Sequence, residues 1–568
     1  MKISMYLDYS SYFSIPQACH RNLQLAKFHL LERLRILQEL TPLDDLVDNL
    51  LYRQWIFAHA TANAAKRGDL SVIQWLCQVY FPQGRVTNAV EKAAQNGHVR
   101  ILQWLYEAHA KVFWGASEMC IAAQYDQVSV VKWLQAHAAP PFVGIHAIES
   151  AARNGNLQLV KWLHKVRGQW SGYGAGEAAA HGHLDVFKYM MKGHSVLRES
   201  ALNEAAGRGY LEAVKKIARR QPTLVTTRTT TAAAENGQMQ VVKWLHGKKF
   251  DGKFVLWTTV AMDKAATNGH LKMVKWLHQN RFLESWKACT REAMNGAARN
   301  GHLKVLQWLH KHRHEGCTTK AMDSAAANGH LNIVEWLHKN RSEGCTQDAM
   351  IAAAANNHLS TLCWLHQNRR EGCSTAAMDE AAGAGHLQVV KWLHAQRNEG
   401  CTSNAMDSAA ANGHLKVVKW LHTYRKEGCT VRAMDRAAGG GHLETIKWLQ
   451  LNRFEGCTSA AMDNAAAGGW LETVRWLHWH RNEGCSTNAM DEAAGGGHFD
   501  VLMFLYTNYN EGCTRLAAEN ATRSGHLEIL QWIYIHYPDQ FDRDRVVAIA
   551  NRDNIYLMEW LQSIGNDT

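Results

Sequence analysis

The sequence predicts an all-α solenoid of about eighteen stacked helix-turn-helix repeats with short inter-repeat loops, and three observations carry the prediction. A block reading A-M-D-x-A-A-x-x-G-H-L-x-V-V-K-W-L-H-x-x-R-x-E-G-C-T recurs along most of the 568 residues. The glycine of its G-H-L step stands at Gly301, Gly329, Gly385, Gly413, Gly441, Gly469, Gly497 and Gly525, spaced by 28 residues with one doubled gap where Asn357 takes its place. Apolar residues on either side of that glycine recur at helical spacing. A unit this small cannot bury its own apolar face, so successive units must stack into one elongated array.

Residues Thr318 to Cys345 represent the unit. Thr318 is placed to N-cap a helix whose apolar positions are Ala321, Met322, Ala325 and Ala326. Asn328-Gly329 ends it, because glycine readily takes the left-handed conformation after a helix. A second helix runs from about His330 to Lys339, with Leu331, Val334 and Leu337 on one stripe and Ile333 and Trp336 on the next. Arg341 to Gly344 then turns the chain toward the next unit. Small alanines on the first helix and bulky side chains on the second should taper each unit, curving the stack and placing the first helices on its concave side. Fifteen tryptophans from Trp75 to Trp560 share the Trp336 slot, and Tyr189, Lys216 and Phe504 hold it in weaker copies. These tryptophans read as core.

Departures from the block divide the chain. Residues 1–60 lie outside it and read as a helical cap, with Pro16 and Thr41-Pro42 placed at helix starts. Residues 61–167 are divergent repeats. Residues 168–258 are degenerate and mark an expected hinge: Gly168 to Gly176 leaves little room for a first helix, and Arg219 to Thr231 is rich in arginine and threonine. Regular repeats fill 259–562, followed by a polar tail at 563–568.

Composition narrows the function. The net charge of +11 leaves an anionic partner open. Met1 to Gln17 lacks a basic start followed by a long apolar run, and no apolar stretch of membrane-spanning length occurs. Nine of the 13 cysteines, Cys289 to Cys513, keep one register. Stacked helices about 8–10 Å apart hold equivalent cysteines beyond disulfide reach, so half-buried reduced thiols and a cytoplasmic or nuclear location are expected.

The G-H-L-x-V-V-K-W-L run at Gly413 to Leu421 and the A-A-x-x-G-H step at Ala409 to His414 resemble ankyrin repeats. The resemblance covers about residues 60–562, and the W-L-H and E-G-C-T wording is similar to the large ankyrin-repeat families of oomycetes. The unit is shorter than the roughly 33-residue ankyrin repeat, and the residues it lacks are those of the projecting β-hairpin finger. The resemblance implies partner binding without catalysis, usually of proteins.

The recurring polar residues read as structural. The two histidines of each repeat, such as His302 and His310, are eight residues apart, unlike the i, i+4 pair of a helical zinc site, and no C-x-x-C occurs. No metal or cofactor is expected. Asp323, Asp379, Asp407, Asp435, Asp463 and Asp491 form a ladder of like carboxylates, placed to complement the dipole at the start of the first helix. A catalytic pair needs carboxylates in unlike environments, so no enzyme is expected. Arg281, Arg313 and the arginines up to Arg481 follow the second helix, and from Arg313 on a glutamate stands two positions later, which suggests ion pairs between repeats.

The informative positions vary while the frame stays constant. They are Lys320, Ser324, Gln347, Asp348, Glu380, Asn404, Arg432, Arg436, Asn488, Glu492 and Arg515, all on the first helix or its approach. These residues are the expected contacts of a non-catalytic protein-binding scaffold, with a monomer expected. Two other readings stand beside it: nucleic-acid or polyanion binding through a basic surface, and a client-selecting adaptor recruited through residues 1–60.

Overall fold

The computed structural model describes residues 50–108, 114, 117–138, 144–168, 171–193, 196–254, 257–280, 289–550 and 555–566. Within these, paired antiparallel helices follow one another along the chain. In the representative unit the inner helix Thr319–Ala327 buries Ala321, Met322, Ala325 and Ala326, and the outer helix Leu331–Asn340 buries Ile333, Val334 and Leu337. Successive inner helices pack far more densely on one another than successive outer helices do, because alanine lets backbones approach. Gly329 ends the inner helix at φ 71°, and the His358 ring of the next repeat fills the space where a Cβ would stand. Asn357 fills the glycine position at φ 63°, a conformation asparagine tolerates better than other side chains.

Contact density divides the chain into two compact units, one of residues 1–151, 165–169 and 458–568, the other of 152–164 and 170–457. In the first, helix Leu50–Arg67 packs beside the inner helix Thr87–Asn96, so the boundary expected after residue 60 falls inside a helix. The same helix also covers the outer helices Phe499–Asn508 and Leu527–His536. Tyr52 meets Phe499 edge-on at 5.7 Å, and Arg85 pairs with Glu528 at 3.1 Å. This second buried surface explains why those two outer helices are apolar nearly all round, and why Trp532 is 0% exposed. The helices expected around Pro16 and Thr41-Pro42 lie outside the described residues.

In the second unit, helix pairs continue through the degenerate stretch. Gly174–Ala180 is short at seven residues, and Glu199–Gly207 with Leu211–Arg220, and Thr227–Glu235 with Met239–Leu245, keep the alternation. Lys249–Phe250 and Lys253–Phe254 form the one strand pair among the described residues.

The tryptophans correct the sequence reading. Trp308, Trp336, Trp364, Trp392, Trp420, Trp448 and Trp476 are half-buried, whereas the expectation was core. Each outer helix stands away from the next, so from Trp308 to Trp448 the indole is covered on one side by a histidine of the preceding repeat and keeps an edge at the surface. His310 meets Trp336 at 5.2 Å, and His338 meets Trp364 at 5.3 Å, both edge to face.

Candidate interaction surface

Every inner helix must begin at a fixed place for its exposed residues to align, and the aspartate ladder sets that place. The Asp379 carboxylate accepts hydrogen bonds from the Thr402 amide at 2.8 Å and the Thr402 hydroxyl at 2.6 Å, and the Thr402 oxygen in turn accepts from the Asn404 amide at 3.1 Å. Asp407 holds Thr430, Asp463 holds Ser486 and Asp491 holds Thr514 in the same way. The aspartates therefore clamp one repeat to the start of the next inner helix, while Asp379, Asp435 and Asp463 also stand in the first turn of their own helices, as expected. Burial pushes the carboxyls of Asp263, Asp323, Asp407 and Asp491 up, against hydrogen bonds from Thr290, Thr346, Thr430 and Thr514 that lower them.

Asn295 shows the logic by exception. Its amide nitrogen donates to the Thr318 oxygen at 3.1 Å while its carbonyl oxygen accepts from the Thr318 amide at 3.0 Å. With its oxygen so engaged, Thr318 makes no side-chain cap bond, against the sequence expectation.

The loops are held separately. Arg341 forks onto Glu343 two residues away, its Nε donating at 3.1 Å, and the pattern repeats from Arg313–Glu315 to Arg481–Glu483. These ion pairs lie within one loop, not between repeats as expected. The guanidinium also reaches backward: Arg369 Nη1 stands 3.4 Å from His338 Nδ1 of the preceding repeat. Arg341 holds the Glu343 carboxyl down at about 2. The register cysteines are buried except for half-buried Cys429, and burial pushes Cys317 up to about 11 and Cys485 to about 12, so these thiols are poor nucleophiles. Arg281 lies outside the described residues. Before the tryptophans, Lys447 and Arg475 pair with Glu444 and Glu472 at 2.9 and 3.6 Å, while Lys391 and Lys419 stay exposed.

With the frame consumed in these bonds, the varying positions remain. Lys320, Gln347, Asp348, Glu380, Asn404, Arg432, Arg436, Asn488, Glu492 and Arg515 are exposed, and Ser324 is half-buried. Lys320, Asp348, Asn404 and Arg432 share one register on inner helices that follow each other with that of Ala376 between them, and Ser324, Glu380 and Arg436 lie one turn further along. Asn488 and Glu492 share helix Thr487–Gly496, and Arg515 begins the next inner helix. Several lend their backbone to the cap, as Asp348 and Arg432 do to Thr346 and Thr430, leaving their side chains to solvent.

Among the described residues no group of three or more histidine, cysteine, aspartate or glutamate side chains is placed to hold a metal, and no helix is long and apolar enough to cross a membrane. A family model described as ankyrin repeats in many copies matches residues 231–278, 262–310, 296–338 and 322–366, and one for three ankyrin copies matches 349–435. Residues 231–435 are ankyrin repeats. The alternation of paired helices continues on both sides of the matched stretch.

No curated protein matches this chain. Among solved structures it is similar to the pentatricopeptide repeat protein PPR10 from maize, at 10% identity and a TM-score of 0.26, covering 97% of this chain and 100% of that one. The same protein in complex with an 18-nt psaJ RNA element aligns at 10% identity and a TM-score of 0.28, over 98% and 93%. At such scores the likeness carries no conclusion.

Proposed function

We propose that the chain is a non-catalytic scaffold that binds a protein partner along the exposed starts of its ankyrin inner helices, the face expected to be concave. One observation carries the reading: side chains that vary between repeats are held in register by an Asp–Thr clamp that recurs through most of the regular repeats. Rigid presentation lowers the ordering cost of binding, and a few anchors within such a surface supply most of the affinity. Lys320, Asp348 and Arg432 differ in charge at one register, so the array presents a charge sequence rather than a uniform field. Reduced, buried cysteines fit a cytoplasmic or nuclear setting.

The test is affinity purification of the full chain, with and without nuclease, followed by mass spectrometry. A nuclease-resistant protein partner should be lost when Lys320, Arg432 and Arg515 are changed to alanine together, with thermal stability unchanged. Retention of every partner by that variant would sink the reading.

A further inference from the structure

Exposed lysines without an ion pair among the described residues stand on several outer helices, Lys275, Lys391 and Lys419 among them, and on one run of helices they gather. From Arg313 to Arg481 each loop arginine is held by its glutamate. Helices Leu157–Arg167, Leu184–Met190 and Leu211–Arg220 carry Lys161, Lys188, Lys216, Arg219 and Arg220, none of which forms an ion pair with a described residue. Lys192 follows the second of these helices, and the acids of the last two are only Asp185 and Glu212. Glu212 is engaged by Lys215 at 2.7 Å.

The cations converge. The Lys161 and Lys192 ammonium groups flank the Tyr189 ring at 5.8 and 6.0 Å from its centroid. Helix Leu211–Arg220 packs beside Leu184–Met190, which makes the Lys188 ammonium a close charged neighbour of Lys216. Burial and this like charge pull Lys216 below the ordinary lysine range. Lys216 occupies the slot that tryptophan fills in most repeats, where an indole would pack without charge. Two ammonium groups this close repel unless an anion joins them. The ridge continues onto Met239–Leu245 through exposed Lys243.

We propose that this ridge binds a nucleic-acid backbone, with phosphate groups bridging Lys188 and Lys216. Its length selects the ligand. Four successive outer helices at 8–10 Å make a track of roughly 25–30 Å, beyond the reach of one phosphorylated side chain or lipid headgroup. A phosphodiester chain supplies negative charge over that whole distance, and neutralising it releases counterions. The ridge lies on outer helices, away from the inner-helix starts, so protein and nucleic acid would not compete for one surface.

The experiment is fluorescence anisotropy of the full chain with a labelled oligouridylate of about 20 nucleotides and a duplex of similar length, across a salt series. Lys188→Gln with Lys216→Gln should weaken binding at least tenfold and reduce the single-strand salt slope by about 1.4, two contacts at roughly 0.7 each. Lys216→Trp, which restores the residue other repeats use, should weaken binding while its melting temperature stays level or rises. The triple alanine variant at Lys320, Arg432 and Arg515 should bind as the parent does. Unchanged affinity in both Lys216 variants would overturn the proposal. So would failure of the parent to bind either probe at low salt, or equally tight binding of polyglutamate, which would point to an acidic protein.

Discussion

Asp379 in one repeat and Thr402 in the next form a two-bond clamp, 2.8 Å to the amide and 2.6 Å to the hydroxyl, so the carboxylate of one ankyrin unit positions the cap of its successor. An array built this way is registered by polar bonds as well as by apolar stacking. The exposed side chains inherit that register.

Asp379→Ala leaves the Thr402 amide without its acceptor and should cost about 2–3 kcal/mol, in the range of hydrogen bonds to charged groups. Asp379→Asn should cost less, because Asn295 shows the amide forming a reorganised pair with Thr318. Urea unfolding gives the energies, and hydrogen exchange at the Thr402 and Asn404 amides locates them. Unaltered exchange at both amides in the alanine variant would show that the clamp contributes nothing.

The half-exposed tryptophans lead to a smaller cost than full burial would. Trp336→Ala should destabilise by about 2 kcal/mol, below the 3–5 kcal/mol of a fully buried aromatic. A double-mutant cycle with His310→Ala should return a coupling of about 0.5–1.5 kcal/mol, the value of an aromatic pair. A coupling indistinguishable from zero would mean that the 5.2 Å edge-to-face contact is incidental.

Burial, then neighbouring histidine charge, pulls His302 and His358 below the ordinary value of 6.5; burial does the same at His526, helped by His59 and His498. A depressed histidine favours the neutral form in the fold, so the unfolded chain takes up the proton first as pH falls. The stabilisation is present above 6.5 and is lost as pH drops through the window down to the lowered values. The urea midpoint should therefore fall between about pH 7.5 and about pH 5.5, a range above the ordinary carboxylate values. His302→Gln with His358→Gln should flatten that dependence, since Gln238 already packs over Gly209 in the same position. An equal pH slope in parent and variant would assign the effect elsewhere.

Much was legible from residues alone. A period of 28, alanines against bulky residues, and glycine before histidine determined the helix pairs, their turns and which positions face solvent, because helical spacing and the left-handed φ of Gly329 are local constraints. The exposed set from Lys320 to Arg515 followed from the same logic, with Ser324 the one half-buried member. Contacts across a repeat boundary were not legible. Asp379 and Thr402 are 23 residues apart and meet only because stacking brings one helix face to the next cap. Lys188 and Lys216 are one repeat apart, and as sequence they looked like degeneration; only the packing of two outer helices turns them into a facing pair. The cover of helix Leu50–Arg67 over Phe499 and Trp532 joins segments more than 400 residues apart, which no local pattern encodes. The sequence by itself determined the repeating unit, because that unit is dictated by short-range backbone and burial preferences. Tertiary structure alone decided how units are clamped, which indoles stay half-exposed and where unpaired charge gathers, because each depends on distances between chain segments that stacking creates.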